Sequence, residues 1–517
     1  MFIVDLNRES FEYDVQALVK SFYPEEQVQV LTPATREDRR RELASRARLR
    51  IEIQNDMAEC VMDGEHSFFD PEEERASLAF LETRAEDKWD KVMQETQAQD
   101  EWDAVMQEIC GKGFKDGFKR YLYGLLHKAT GKHLPWGNLT GIRPTKIAYG
   151  MLEQGKSDQF ILNYYKQGHY VSSRKAELAL EIAKRERELL KRIHYQGGYS
   201  LYIGIPFCPT TCLYCSFTSF PIAGYRDLVD KYLDCLIREM ELTAQSMQGR
   251  ILDSVYIGGG TPTTLEPVQL DRLLIKLKEL FDFSTVQEFT VEAGRADSIT
   301  EDKLKVLYDH GVSRISVNPQ TMKQETLHII GRRASVEQVE KAYSLARKVG
   351  FDNINMDLIL GLPGELEADV QRTIDRVVEM GPDSFTVHSL AIKRASKLNQ
   401  WIQENGVAML HNTDETMEIA AEGARRLGLV PYYLYRQKNM SGNFENVGYA
   451  SEGKLGLYNI LIIEEVQTII ALGAGSISKL VLPDGRIERS DSYKDVALYV
   501  KNIDEMLKRK EKLFDLS

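Results

Sequence analysis

The 517-residue sequence predicts an α/β protein built on an open, partial (β/α)6 barrel, with an α/β domain before it and a mixed domain after it. Three observations predict this. Six strand-like segments between Ser200 and about Arg394 alternate with helical stretches. Gly311 and Gly350 fall where a helix needs a left-handed residue before the next strand. Polar residues recur on one parity of the strands.

Residues 1–192 form the expected first domain, whose role is not legible in the sequence. MFIVDL and VQVLTP flank a helix-like DVQALVKSFY, a β-α-β pattern. From Thr35 to Asp103 the chain is heavily charged; ARLRIEIQN reads as a strand and EERASLAFLETRAEDKWDKVMQE as an exposed helix. From Phe114 to about Arg192 the pattern is helical, broken by the loop HLPWGNLTGIRP. A boundary is expected near Gly197 and Gly198.

Residues 193–397 form the expected barrel, with strands YSLYIGI, SVYIGGG, QEFTVEA, RISVNPQ, NINMDLILG and DSFTVHSL. Tandem β-α units with right-handed crossovers give parallel strands, and six of them favour an arc over a closed barrel. By alternation, Glu288, Thr290 and Glu292 share a face, as do Arg314, Ser316, Asn318 and Gln320, and Asn353, Asn355 and Asp357. With helices on the apolar side, these polar residues point inward, where a purely structural barrel would place Val, Ile and Leu. An antiparallel sheet with one wet face is the competing explanation. Residues 398–517 are expected to be a substrate or lid domain, with a helix near Asp414 to Leu427, a hairpin at Asp484-Gly485 and a last helix from about Tyr493 to Glu511.

Composition narrows the function classes. A net charge of −12 argues against broad nucleic-acid binding. No run of eighteen apolar residues is available to span a bilayer, and charge at Asp5 and Arg8 interrupts any signal-peptide core, so a cytoplasmic location is expected. Three of the six cysteines fall within eight residues, while Cys60, Cys110 and Cys235 are scattered, which is not a disulfide framework.

The chemistry-bearing segment is YIGIPFCPTTCLYCSF, directly after the first barrel strand. It carries Cys208, Cys212 and Cys215 at C-x3-C-x2-C spacing. Three thiolates satisfy three irons of a cubane and leave the fourth open to an exogenous ligand. Zinc competes, with His194 or His328 available to complete four ligands, although no second knuckle is present. A redox pair of Cys212 and Cys215 would leave Cys208 without a role.

This trio, with Tyr214 before the last cysteine, resembles the radical S-adenosylmethionine signature. YIGIPFC, GGGTPT, TVEA, RISVNPQT with Arg332 beyond it, and NMDLILGLPGE are similar, in order and spacing, to the oxygen-independent coproporphyrinogen III oxidase family. LTGIRPTKIAYGML and PYYLYRQKNM resemble its longer coproporphyrinogen dehydrogenase subgroup. The resemblance implies a 4Fe-4S cluster on Cys208, Cys212 and Cys215, with S-adenosylmethionine beside it. It implies that Gly259, Gly260 and Thr261 meet the methionine end, that Arg332 or its neighbour Arg333 holds the carboxylate, and that Gln320 and Asp357 bind the ribose. Tyr202, Glu292 and Ala391 align with other pocket residues, and Tyr214 with one that packs on adenine.

The implied reaction is cleavage of the sulfonium to a 5′-deoxyadenosyl radical, which takes a hydrogen atom from a propionate of coproporphyrinogen III. Carbon dioxide and an electron then leave to form a vinyl group, and two such events give protoporphyrinogen IX. Lys393 and Arg394 are candidates for holding substrate carboxylates. The implied partners are a tetrapyrrole and an electron donor such as flavodoxin or ferredoxin. One departure matters: Ser216 and Phe217 follow Cys215, where the better-studied oxidases carry a fourth cysteine. The haem-chaperone branch shares this pattern, so a protein that binds and transfers haem is the alternative, and a radical porphyrin-modifying methyltransferase a third reading.

Overall fold

A computed structural model describes residues 1–54, 56–71, 104–105, 107–109, 113–194, 197–393, 396–406, 409–437 and 440–516. The exposed helix expected over 73–95, Cys110 and Arg394 lie outside the described residues. The chain forms two compact units: Met1–Lys184 with Arg436–Glu445, and Arg185–Tyr435 with Asn446–Ser517.

The first unit opens with β1 (Phe2–Leu6), the helix Glu12–Phe22 and β2 (Val28–Leu31), the β-α-β stretch expected from the sequence. β1 lies between β2 and β3 (Leu49–Gln54), parallel to both, and β4 (Met57–Met62) and β5 (Glu65–Phe69) extend the sheet as antiparallel hairpins. β3 alternates buried and exposed residues, and its buried Leu49, Ile51 and Ile53 join Val15, Val19 and Phe118 in one apolar core. Within this unit the indole of Trp136 donates to Glu445 at 2.7 Å, and Lys175 pairs with the same carboxylate at 2.5 Å.

The second unit holds an eleven-stranded sheet. All six expected barrel strands form: β6 (Gly198–Ile205), β9 (Ile251–Gly259), β10 (Glu288–Gly294), β11 (Arg314–Val317), β12 (Ile354–Leu360) and β13 (Ser384–Ser389). They lie side by side in chain order and every pairing is parallel, which excludes the antiparallel alternative. Between β6 and β9, the miniature strands β7 (Phe207–Cys208) and β8 (Phe220–Pro221) pair and close off the cysteine loop. Gly311 and Gly350 take φ of +68° and +123°, ending their helices as the sequence predicts.

Residues 398–517 do not form a domain of their own. β14 (Val430–Tyr435) and β15 (Asn446–Ala450) join the arc antiparallel at β13, while β16 (Thr468–Leu472) joins it parallel at β6. Exposed edges left by an open arc of six strands are thereby paired. β17 (Ile477–Val481) and β18 (Ile487–Asp491) form the expected hairpin. The last helix is two, Val496–Lys501 and Ile503–Phe514.

The inward face is polar, as the strand parity predicts. Thr290 donates to Glu288 at 3.0 Å, Arg314 to Ser384 at 3.2 Å, and Ser384 to Asn355 at 3.1 Å. On the opposite parity, Phe289 packs its ring against Phe283. Alternation does not account for Gln320: β11 ends at Val317, and Gln320 lies beyond it with φ +70°, bridged to Leu358 of β12. Gln320 reaches the site by a turn, not by strand periodicity.

Candidate cofactor site

The cysteine loop leaves the C-terminal end of β6 and is held from three sides. Phe220 donates to the carbonyl of Pro206 at 2.8 Å, and Thr261, just past β9, donates its backbone N–H to Phe207 at 2.7 Å. Leu213 donates to Ile330 at 3.0 Å and accepts from Leu398 at 3.0 Å, and Thr210 donates its hydroxyl to Gly331 at 3.0 Å. Leu213 and Tyr214 also pack onto an apolar cluster of Leu327, Ile330, Leu362 and Leu398. A short loop carrying three thiols thus leaves the end of β6 and is fixed by the end of β9, by Ile330 and Gly331 after the helix Gln324–Ile329, and by Leu398 at the start of the helix Leu398–Asn405. It lies at the C-terminal end of a strand, the usual place for a site on parallel β-α units.

Each thiol has a polar neighbour. Cys208 Sγ lies 3.5 Å from Thr261 Oγ1, Cys212 Sγ 3.7 Å from Arg295 Nη1, and Cys215 Sγ 3.7 Å from Ser219 Oγ. Burial pushes the Cys208 thiol up to about 11, and the Thr261 hydroxyl works in the other direction. Among the described residues no group of three or more His, Cys, Asp and Glu side chains can hold one metal ion. A cubane makes a different demand, since each thiolate takes its own iron. His194 precedes β6 and pairs with Asp253, so the eight-residue strand, roughly 26 Å long, separates it from the cysteines. It therefore does not complete a zinc site.

Around this loop the structure gathers the other residues singled out in the sequence. Of the neighbouring arginines, Arg332 is buried and Arg333 is exposed. Arg332 donates to the carbonyl of Asn318 at 2.5 Å and to the Tyr214 hydroxyl at 3.3 Å. Asn318 in turn accepts the backbone N–H of Asp357 at 3.2 Å, and Gln320 donates its own N–H to Asp357 at 2.9 Å. Burial works against the charge of Asp357, but His388 and Asn355 outweigh it and hold the carboxyl below its ordinary range.

Beside them, Tyr202, Tyr256 and Tyr458 stack, with Tyr256 and Tyr458 ring centroids 4.4 Å apart. Tyr256 donates to Glu292, whose carboxyl burial pushes up to about 7. The end of β9 reads as glycine for want of room: a Cβ on Gly260 would meet the carbonyl oxygen of Phe207 at 2.5 Å, and one on Gly259 the Tyr202 hydroxyl at 3.3 Å. Ala391 follows β13 half-buried, and its neighbour Ile392 packs on the cluster that holds Tyr214.

Sequence reasoning missed Arg295, Tyr256, Tyr458 and His388. The inward parity of SVYIGGG and DSFTVHSL offered a signal for Tyr256 and His388. Nothing local marked Tyr458, because the helix Leu457–Glu464 reaches the site only through the strands it connects.

Three buried atoms here make no hydrogen bond among the described residues: Arg332 Nε, Gln320 Oε1 and Ser316 Oγ. Such groups are costly unless a ligand meets them. Three thiols on one tethered loop, orphaned buried polar atoms and a strand end with space only for backbone fit a cluster and a polar nucleotide cofactor.

A model of the radical SAM superfamily matches residues 202–377, and the parallel arc with its cysteine loop is a radical SAM domain. Membership brings a 4Fe-4S cluster and S-adenosylmethionine as cofactors. The chain is 40% identical over 417 residues to the oxygen-independent coproporphyrinogen-III oxidase-like protein HemZ of Bacillus subtilis (strain 168), covering 78% of this chain and 83% of that one. It belongs to this oxidase-like family. Shorter similarity extends to the heme chaperone HemW of Lactococcus lactis subsp. lactis (strain IL1403), 37% identical over 198 residues, 38% of this chain and 50% of that one. The oxygen-independent coproporphyrinogen III oxidase of Escherichia coli (strain K12) is 33% identical over 192 residues, 37% and 42% of the two chains. No helix of the described residues is long and apolar enough to cross a membrane.

Proposed function

We propose that the protein is a radical S-adenosylmethionine oxidoreductase that converts the propionates of coproporphyrinogen III to vinyl groups, giving protoporphyrinogen IX. The observation that carries this reading is the similarity to an oxidase-like protein along 83% of that relative's length, well beyond the barrel. When bound, the cluster and S-adenosylmethionine supply one-electron cleavage of the sulfonium and hence a carbon radical.

In this reading Cys208, Cys212 and Cys215 hold the cluster. Arg332 meets the methionine carboxylate with its planar fork, for which a buried guanidinium is suited. Glycine backbone at 259 and 260, with Thr261, lines the methionine end. Gln320 and Asp357 take the ribose hydroxyls, and Tyr202, Tyr214, Glu292 and Ala391 complete the pocket. Lys393, half-buried 5.5 Å from the Phe217 ring, holds a substrate carboxylate near Cys215. The residues at 398–517 bound the substrate side, a flavodoxin or ferredoxin supplies the electron that cleaves the sulfonium, a separate electron acceptor takes the electron released with each carbon dioxide, and the protein works in the cytoplasm.

A second reading, haem binding and transfer, is favoured by two observations: Phe217 stands two residues past Cys215, and the heme chaperone resembles 198 residues of this chain. Anaerobic incubation of reconstituted protein with coproporphyrinogen III, S-adenosylmethionine and a reductant separates the two. Vinyl-porphyrin product with deoxyadenosine supports the oxidase. Tight haem binding without either product supports the chaperone, and deoxyadenosine without vinyl product rejects this substrate.

A further inference from the structure

We propose that Arg295 and Asp297 form a charge pair that sets the reduction potential of the cluster through Cys212. The inference rests on assigning the cysteine trio to a cluster and does not depend on the tetrapyrrole substrate.

Arg295 follows β10 and is 4% exposed. Its fork is divided between two tasks. Nε and Nη2 donate to the two oxygens of Asp297 at 3.0 and 2.7 Å. Nη1 is turned to the cysteine loop, where it donates to the carbonyl and hydroxyl of Thr210 at 2.9 and 2.8 Å and lies 3.7 Å from Cys212 Sγ. The backbone beneath is fixed as well: the Arg295 carbonyl accepts from the Ser298 hydroxyl at 2.8 Å, and that hydroxyl meets Thr263 at 2.7 Å.

An arginine needed only to balance Asp297 would do so more cheaply in water, because burying a guanidinium is costly. Here the burial places fixed positive charge against the sulfur of Cys212, with the two Nη1 hydrogens shared between Thr210 and that sulfur. One-electron reduction adds negative charge to an iron–sulfur cluster, so a nearby cation and hydrogen bonds to sulfur favour the reduced state and raise the potential. Asp297 acts with the opposite sign through the same fork. Arg295 is thus a positioning residue for the loop that also carries an electrostatic duty.

The two residues make opposite predictions, which a purely structural role would not. Full-length chains carrying Arg295→Gln, Arg295→Lys and Asp297→Asn are reconstituted anaerobically, assayed for iron, and titrated electrochemically with the paramagnetic signal of the reduced cluster as readout. Arg295→Gln is expected to shift the midpoint downward, Arg295→Lys to restore part of the shift, and Asp297→Asn to shift it upward. Full iron content with an unmoved midpoint in Arg295→Gln overturns the proposal, as do shifts of the same sign in Arg295→Gln and Asp297→Asn. Where Arg295→Gln holds no iron, Asp297→Asn decides: an upward shift supports the pair and an unmoved midpoint rejects it. Wild-type chain that takes up no iron defeats the cluster reading itself, a separate result from an unmoved potential.

Discussion

The hydroxyl of Thr261 lies 3.5 Å from the sulfur of Cys208, joining the glycine-rich end of β9 to the cysteine loop that leaves β6. Two motifs fifty-three residues apart thereby form one surface, and a change in either is expected to be felt in the other.

On the proposed ligand set of Cys208, Cys212 and Cys215, replacing Cys208 by serine removes one of three thiolates, and a cubane held by two is not retained. Iron content and the reduced-cluster signal are expected to fall to near background. Cys235→Ala, in the helix Arg226–Ser246 with its sulfur near the carbonyl of Val500, is expected to keep both.

Arg332→Lys keeps the charge but loses the fork and the bond to Tyr214 or Asn318. A hydrogen bond to a charged group contributes about 1.5–3 kcal/mol, so S-adenosylmethionine affinity is expected to fall roughly tenfold to a hundredfold. Anaerobic equilibrium binding measures it. The exposed Arg333→Lys is the control and is expected to bind as the wild type does.

Gly260→Ala forces a methyl to within 2.5 Å of the Phe207 carbonyl oxygen. Overpacking of this kind costs about 1–3 kcal/mol, so a lower melting temperature and weaker cofactor binding are expected together. Gly224→Ala, with nothing within 4 Å of the added carbon, is expected to leave both unchanged.

The Glu292 carboxyl titrates near 7 instead of 4.5 because it is buried. Between those values the cofactor-free folded chain holds a proton that the unfolded chain has released. This contribution to stability is fully present below about pH 4.5 and is lost as pH rises to about 7. The displacement corresponds to roughly 3 kcal/mol at most. Buried Glu288 and Glu365, also raised by desolvation, add to the same slope. Denaturant titrations of Glu292→Gln are expected to show a shallower fall across this range; an unchanged slope would sink the assignment.

Burial lowers the pKa of Lys393, and the neighbouring Cys215 works against that shift. If this ammonium holds a substrate carboxylate, Lys393→Met loses a charge-assisted contact of about 1.5–3 kcal/mol. Steady-state kinetics with coproporphyrinogen III are expected to show kcat/KM down roughly tenfold to a hundredfold, carried mainly by KM. S-adenosylmethionine binding is expected to be unchanged.

What the sequence by itself determined is what short-range chemistry encodes. Strand parity announced the polar interior, glycines after helices announced the crossovers, and the spacing of Cys208, Cys212 and Cys215 announced the loop, because each depends on residues a few positions apart. Only the tertiary structure decided that β16 pairs with β6, that β15 pairs with β13, and that the residues after the barrel, Arg436–Glu445 apart, share a unit with it. It also buried Arg332 and left Arg333 exposed, set Gln320 past the end of β11 by a turn, and brought Arg295 to Cys212 and Tyr458 to Tyr256. These outcomes depend on contacts between segments far apart in the chain, whose pairing is won by burial and hydrogen bonding in the folded state and leaves no local periodicity to read.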